Sequence, residues 1–146
     1  MSGLSKASVT ARGAAISLVF LALVGHAPAA RAQARGDVWA APERAALRPN
    51  PVIATSDAVG RGHSLFHQSC ESCHGFKGHG DGSMATSLPI KPSDLSSERV
   101  QSQTDGALFW KLNAGRGMML STQGTMTDEQ RWAVVDYIRT LAAKHP

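Results

Sequence analysis

Two cysteines and a histidine within five residues, Cys70-Glu71-Ser72-Cys73-His74, constrain this chain more than any other stretch. On a helical turn, residues three and four apart share a face, so Cys70, Cys73 and His74 can all address one flat ligand. C-x-x-C-H is the attachment pattern of c-type haem. The two thiols add across the haem vinyl groups as thioethers, and the imidazole binds iron. Two other chemistries use cysteines so spaced. A thioredoxin-like dithiol needs a strand-helix context and has no use for the following histidine. A structural zinc site takes four ligands, and drawing them from His63, His67, Cys70, Cys73 and His74 crowds them onto one short segment. The pattern therefore predicts one haem c, attached covalently through Cys70 and Cys73, with His74 as an iron ligand.

Residues 1–32 read as an export signal. Lys6 and Arg12 come first with no acidic residue, an uncharged and mostly apolar run follows over 14–24, and small residues close it. Ala30-Arg31-Ala32 is the expected cleavage site, with Ala27-Pro28-Ala29 as a second. The apolar run is shorter than the about 20 residues a membrane span takes. The expectation is a periplasmic protein with no stable membrane span after cleavage. The charge then changes meaning. The full chain carries a formal +4, but without Lys6, Arg12 and Arg31 it has 12 basic against 11 acidic residues. The basic balance therefore gives no reason to expect a nucleic-acid partner or a membrane-surface role. Both cysteines are used by the haem, which leaves none for a structural disulfide despite the oxidising compartment. The remaining 114 residues make a small core, and a bulky apolar haem supplies much of what it lacks.

Residues 33–55 read as an irregular N-terminal arm. Pro42, Pro49 and Pro51 interrupt regular structure, one helical turn fits near 40–46, and Trp39 and Val52-Ile53 can dock on a domain surface. Residues 56–146 form the main domain. Ser56 or Asp57 can cap a first helix, whose apolar stripe of Val59, Leu65 and Phe66 runs into Cys70. Gly62 and Phe66, one turn apart, offer a notch and a ring to a crossing helix. The glycine-rich stretch 75–82 lacks the strand and helix of a phosphate cradle and reads as a tight loop folding around the haem edge. Pro89 and Pro92 hold 88–95 extended. A further helix starts at Thr104 and ends at Gly115, with Trp110 packed either on the arm or near the haem. Thr127 and Gln130 form a capping box for the last helix, whose apolar face is Trp132, Val135, Ile138 and Leu141, broadened by Val134 and Tyr137.

The sixth position on the iron decides the function. A methionine there makes an electron carrier, whereas an open position permits ligand binding. Met84 lies close after His74, and Met126 directly precedes a helix cap. Met118 and Met119 sit in the loop between two helices, far enough along the chain to cross the ring, and spacing alone does not separate them. His63 and His67 share a helix with the attachment site, His79 lies in the glycine-rich loop and His145 at the chain end; all four read as surface residues.

Over residues 50–141 the sequence resembles the class I, monohaem c-type cytochromes of bacterial periplasms. The likeness rests on Asn50-Pro51, Gly62-x-x-Leu65-Phe66, Cys70-x-x-Cys73-His74-Gly75 and Gly78-x-Gly80-Asp81-Gly82. It continues through Pro92-x-Asp94-Leu95, Asp105-Gly106-x-Leu108-Phe109-Trp110-Lys111, Gly115-Arg116-Gly117 and Trp132-x-x-Val135-x-Tyr137-Ile138-Arg139. The resemblance implies an all-α cytochrome c fold whose first and last helices cross at Gly62, Phe66 and Tyr137 around one covalent haem. It implies Met119 as the axial methionine, by its spacing from Trp132, so that His74 and Met119 are the iron ligands. A proline carbonyl is expected to hold the His74 imidazole, Pro92 fitting best and Pro89 next. Leu120 departs from the pattern, standing where a proline usually follows the ligand. The implied function is electron transfer without bond chemistry of its own, between redox partner proteins such as an oxidoreductase, a dehydrogenase or a quinol-oxidising complex. The alternative is a haem ligand-binding protein, a gas sensor or weak peroxidase, with a labile sixth ligand.

Overall fold

The structure, a computed structural model, describes residues 39–142. The export-signal reading of 1–32, the first residues of the arm and His145 lie outside the described residues. Within them the elements are helical: α1 (Glu43–Ala46), α2 (Ser56–Ser69), α3 (Glu71–His74), a 3₁₀ turn (Ala85–Ser87), α4 (Glu98–Gln101), α5 (Asp105–Ala114) and α6 (Asp128–Thr140). Among the described residues there is no strand, as the all-α expectation requires.

Three side chains start the long helices, each by the same local chemistry. Thr104 and Thr127 hold extended backbone and accept a hydrogen bond from the amide three residues on. At Thr127 the Gln130 side chain returns the bond to the cap amide, completing the box. The first helix starts one residue earlier than Ser56 or Asp57. Its cap is Thr55, whose hydroxyl accepts from the Ala58 amide at 3.2 Å, and Asp57 instead faces the positive helix end from the first turn.

Helices α2 and α6 cross at Gly62. A Cβ added there would stand 1.9 Å from the Ala133 carbonyl oxygen and 3.0 Å from the Tyr137 Cβ. One turn on, Phe66 is fully buried with its ring 5.2 Å from that of Tyr137. On its other side α6 meets α5, where Phe109 stacks on Trp132 with centroids 4.2 Å apart and planes inclined by 21°. Pressed from both sides, α6 is buried at every position from Arg131 to Ile138, including two charged residues that an apolar stripe does not foresee.

The described part of the arm lies on α5 and α6. Gly106 lets the start of α5 approach the carbonyls of Ala45, Ala46 and Arg48, and the Thr104 hydroxyl donates to Ala46 O at 2.6 Å. Trp39 meets Trp110 with centroids 6.2 Å apart, so of the two expectations for Trp110 the arm is the one observed. Asn50 donates to Asp136 Oδ1 at 2.7 Å and accepts from the Val52 amide. A short helix that the sequence does not reveal, α4, fills the gap before α5 and buries Val100. Arg139 then joins three elements, donating to Asp105 Oδ1 and to the carbonyls of Gln101 and Gln103.

Two predictions follow from this packing. Gly62→Ala drives a methyl group into backbone that cannot rotate away, and should lower the unfolding free energy by about 2 kcal/mol in a urea titration. Asp136 is only 6% exposed. Burial, and then the nearby Asp105 charge, push its carboxyl above the ordinary range despite the Asn50 bond. A pKa higher in the folded state means that stability increases as pH falls through the folded value towards the unfolded one. Asp136→Asn should remove that rise, read from urea midpoints between neutral pH and the ordinary carboxylate range.

Candidate functional site

The end of α2 is built to present the attachment motif. Cys70 caps α2 with φ −120°, a break in helical geometry that turns the chain before α3 begins. The Cys70 carbonyl then accepts from both the Cys73 amide at 3.2 Å and the His74 amide at 2.8 Å. Cys70, Cys73 and His74 thus lie on one tight turn. Both cysteines are half-buried and unpaired.

Burial, reinforced by the neighbouring Cys73, pushes the Cys70 thiol up to about 11. A thiol held protonated at neutral pH is a poor redox nucleophile, which argues against the dithiol reading. His74 moves the other way. Burial lowers its pKa, partly offset by its hydrogen bond to the Ser93 carbonyl, so the ring is neutral at neutral pH. Nδ1–H donates to Ser93 O at 3.1 Å, leaving the Nε2 lone pair available for a metal.

The carbonyl that holds the imidazole is therefore that of Ser93 and not of Pro92 or Pro89. The reason lies at Gly80, φ +70°, where an added Cβ would stand 2.2 Å from the Pro92 oxygen. Pro92 points its carbonyl at the glycine backbone, and the next carbonyl along faces the ring. The glycine-rich loop folds back on the motif itself. Gly80 donates to His74 O, Gly82 to Cys73 O and Met84 to Ser72 O, at 2.7, 3.2 and 2.8 Å. These bonds satisfy the carbonyls that a short helix leaves open at its end. Gly75 at φ +81° and Gly82 make room for the return, each lying where a Cβ would strike Asp81 or the Glu71 and Ser72 carbonyls.

Met119 lies apart from this turn, on the loop between α5 and α6. Arg116 and Met119 exchange backbone bonds of 2.8 and 3.0 Å across a tight turn with Gly117 at φ +58°. That turn separates the doublet: Met118 is 62% exposed, whereas Met119 is half-buried against the hydrophobic core. Met126 also packs on the core, and Met84 is half-exposed beside the attachment turn.

His67 is not the surface residue the sequence suggests. Its Nδ1 pairs closely with Glu71, Tyr137 O–H lies 3.5 Å from its Nε2, and its ring lies 4.7 Å from Phe76. Glu71, a variable position of the motif, thereby ties the attachment turn to α2 and α6. The four-residue spacing of His67 and Glu71 was the available signal for it. His79 does sit at the surface, with Nδ1 3.3 Å from Asp94 Oδ1.

The donor set fits haem c. It offers two reduced thiols and a neutral imidazole with one ring nitrogen free, all on one turn. Among the described residues no three His, Cys, Asp or Glu side chains are arranged to hold a metal ion by themselves, which disfavours the zinc alternative. Ile90, near Ser93, and Leu120, beside Met119, are each 81% exposed. Such apolar surface suits a bulky apolar group that covers it.

Residues 57–138, more than half of the chain, match the family model described as "Cytochrome C oxidase, cbb3-type, subunit III". No curated protein matches the sequence. Among solved structures, a chain of the Kuenenia stuttgartiensis reducing HAO-like protein complex is 24% identical with a TM-score of 0.56, over 63% of this chain and 47% of that one. The present chain thus spans about half the length of that neighbour. The KustC0563 c-type cytochrome is also 24% identical, with a TM-score of 0.49, over 56% of this chain and 96% of its own. At such identity the first likeness shows the fold.

The Gly80 contact makes a direct test of how His74 is held. Gly80→Ala places a Cβ against the Pro92 carbonyl at a backbone angle alanine resists. The Ser93 carbonyl should shift off the imidazole. The expected result is a several-fold lower yield of haem-bearing protein, read from haem absorbance per chain, in line with the 10–100-fold cost typical of losing such a supporting bond.

Proposed function

From the premise that this chain belongs to the cytochrome c family described as cbb3-type oxidase subunit III, and so serves haem-based electron transfer, we propose that it is a periplasmic one-electron carrier with a single covalent haem c. The observation that carries this reading is the attachment turn, with two unpaired thiols and an imidazole whose Nδ1 is already engaged by Ser93. When bound, haem c supplies the ferric–ferrous couple. Cys70 and Cys73 would hold it as thioethers, and His74 Nε2 and Met119 Sδ would supply its two protein iron ligands. The burial of Met119 and the exposure of Met118 favour Met119 as the sixth ligand. A ligand kept in both oxidation states would keep reorganisation small.

On this reading the protein performs no bond chemistry. Its donor and acceptor are redox proteins, a respiratory or dehydrogenase complex on one side and an oxidoreductase on the other. The charged, apolar and small-residue order of 1–32 supports export. Among the described residues no helix is long and apolar enough to cross a membrane. The second reading, a haem ligand-binding protein with a labile sixth position, draws on Leu120, which is exposed beside Met119 where a proline is expected from the resemblance.

Absorption spectra of protein made with haem-attachment machinery separate the two. The carrier predicts a low-spin spectrum with the methionine-to-ferric-iron charge-transfer band, unmoved by carbon monoxide. Met119→Ala should abolish the band and admit carbon monoxide, whereas Met118→Ala should leave both unchanged. A high-spin spectrum or ready carbon monoxide binding by the unmutated protein would install the ligand-binding reading instead.

A further inference from the structure

The loop that bears Met119 has little of its own to hold it. Gly117 and Gly124 have left-handed backbone and open space around them, and Leu120 points into solvent. Beyond the Arg116–Met119 backbone pair, it is tied to α5 by identifiable bonds. The Ser121 hydroxyl bonds Asn113 O at the end of α5, and the Thr122 amide and hydroxyl both donate to Leu112 O, at 3.0 and 2.8 Å. The return of the loop into α6 is held by the Thr125 and Met126 amides, which donate to Thr122 O at 3.2 and 3.0 Å, and by one buried side chain. Arg131, 5% exposed, sends Nη1 to Thr122 O at 2.9 Å and Met126 O at 2.7 Å, and Nη2 to Asp128 Oδ1 at 2.6 Å. Thr122, three residues after Met119, is thus gripped from α5 through its donors and from α6 through its carbonyl.

A guanidinium is a costly choice for this place. Its Nε is buried with no partner, and a buried charge network is often replaceable by apolar side chains at no loss of stability. What an apolar residue could not do is donate to two loop carbonyls at once. Phe109, 5.5 Å away, covers the group from inside, and Asp128 neutralises it from outside while also pairing with Arg48.

We propose that Arg131 is the positioning residue for the sixth-ligand loop, setting how firmly Met119 is presented. The inference rests on Met119 as the proposed axial ligand, but its loop-ordering half does not need that reading.

The test is Arg131→Met in the haem-loaded full chain, with Arg131→Lys as the conservative variant and Asn50→Ala as a comparator. Asn50→Ala removes the Asp136 partner and weakens α6 elsewhere without touching the loop. In Arg131→Met, amide exchange at Thr122 and Met126 should accelerate about tenfold, the loss expected for charged hydrogen bonds, while α2 amides around Phe66 stay unchanged. The pH at which the methionine charge-transfer band disappears should fall by about one unit, with Arg131→Lys in between. Asn50→Ala should lower the melting temperature and move neither readout. Exchange that accelerates equally in α2 and the loop, or a band midpoint that stays put while the loop loosens, would overturn the proposal. If Arg131→Met does not fold, Arg131→Lys against Asn50→Ala carries the same comparison. If Met119→Ala leaves the band intact, the ligand assignment fails, and exchange at Thr122 and Met126 still decides whether Arg131 orders the loop.

Discussion

At Gly62 the backbone of α2 comes close enough to the Ala133 carbonyl of α6 that no side chain could stand between them. That approach sets the angle and depth at which α2 crosses α6, and with it the place where α2 stops. Phe66 and Tyr137 fill the next turn, so the helix cannot slide without breaking a fully buried ring contact. One turn further on stands Cys70. The attachment turn is therefore positioned by a contact two turns away, and the donor groups inherit their place from the packing of two backbones.

Around this crossing, charged side chains do much of the joining that a disulfide cannot do here. Arg139 gathers α4, α5 and α6 at one guanidinium, and Arg131 gathers the loop and the start of α6. Asn50 and Asp136 join the arm to the last helix. Arg139, Arg131 and Asn50 each also bond backbone in a connecting segment, where hydrophobic burial alone gives no direction, whereas the Asp136 carboxylate bonds only the Asn50 side chain. The pattern suits a chain with short helices and long connections, since the α5–α6 loop and the arm contribute few buried apolar side chains of their own.

What the sequence made legible was local or strongly periodic. The Thr127–Gln130 box depends on four adjacent residues, and the Gly115 stop on one, so both could be read without tertiary knowledge. The misreadings have tertiary causes. Thr55 displaced Ser56 and Asp57 as cap because any of three adjacent polar residues can serve, and packing of Ala58 selects the frame. The His74 acceptor moved from Pro92 to Ser93 because Gly80, twelve residues earlier, occupies the space before the proline carbonyl. α4 has a single turn, too short for periodicity to register. His67, Arg131 and Asp136 are polar residues inside, and a hydropathy pattern assigns such residues to the surface unless their partners are known.

The two sides of the proposed haem site are secured by different means, and the difference bears on function. On the His74 side the glycine-rich loop is held by backbone groups. Amides of Gly80, Gly82 and Met84 close the carbonyls of His74, Cys73 and Ser72, and the Ser93 carbonyl holds the ring. Most side-chain substitutions leave those bonds in place, so the imidazole is fixed as firmly as the fold. On the Met119 side backbone bonds, between Arg116 and Met119 and from the Thr122 amide to Leu112 O, are supplemented by ties through the side chains of Ser121, Thr122 and Arg131. Each side-chain tie can be altered by one substitution without disturbing the helix crossing. The strength of the proposed sixth bond would thereby be separable from the stability of the domain. A carrier and a ligand-binding protein could share every feature of the His74 side and differ in how tightly one loop is held.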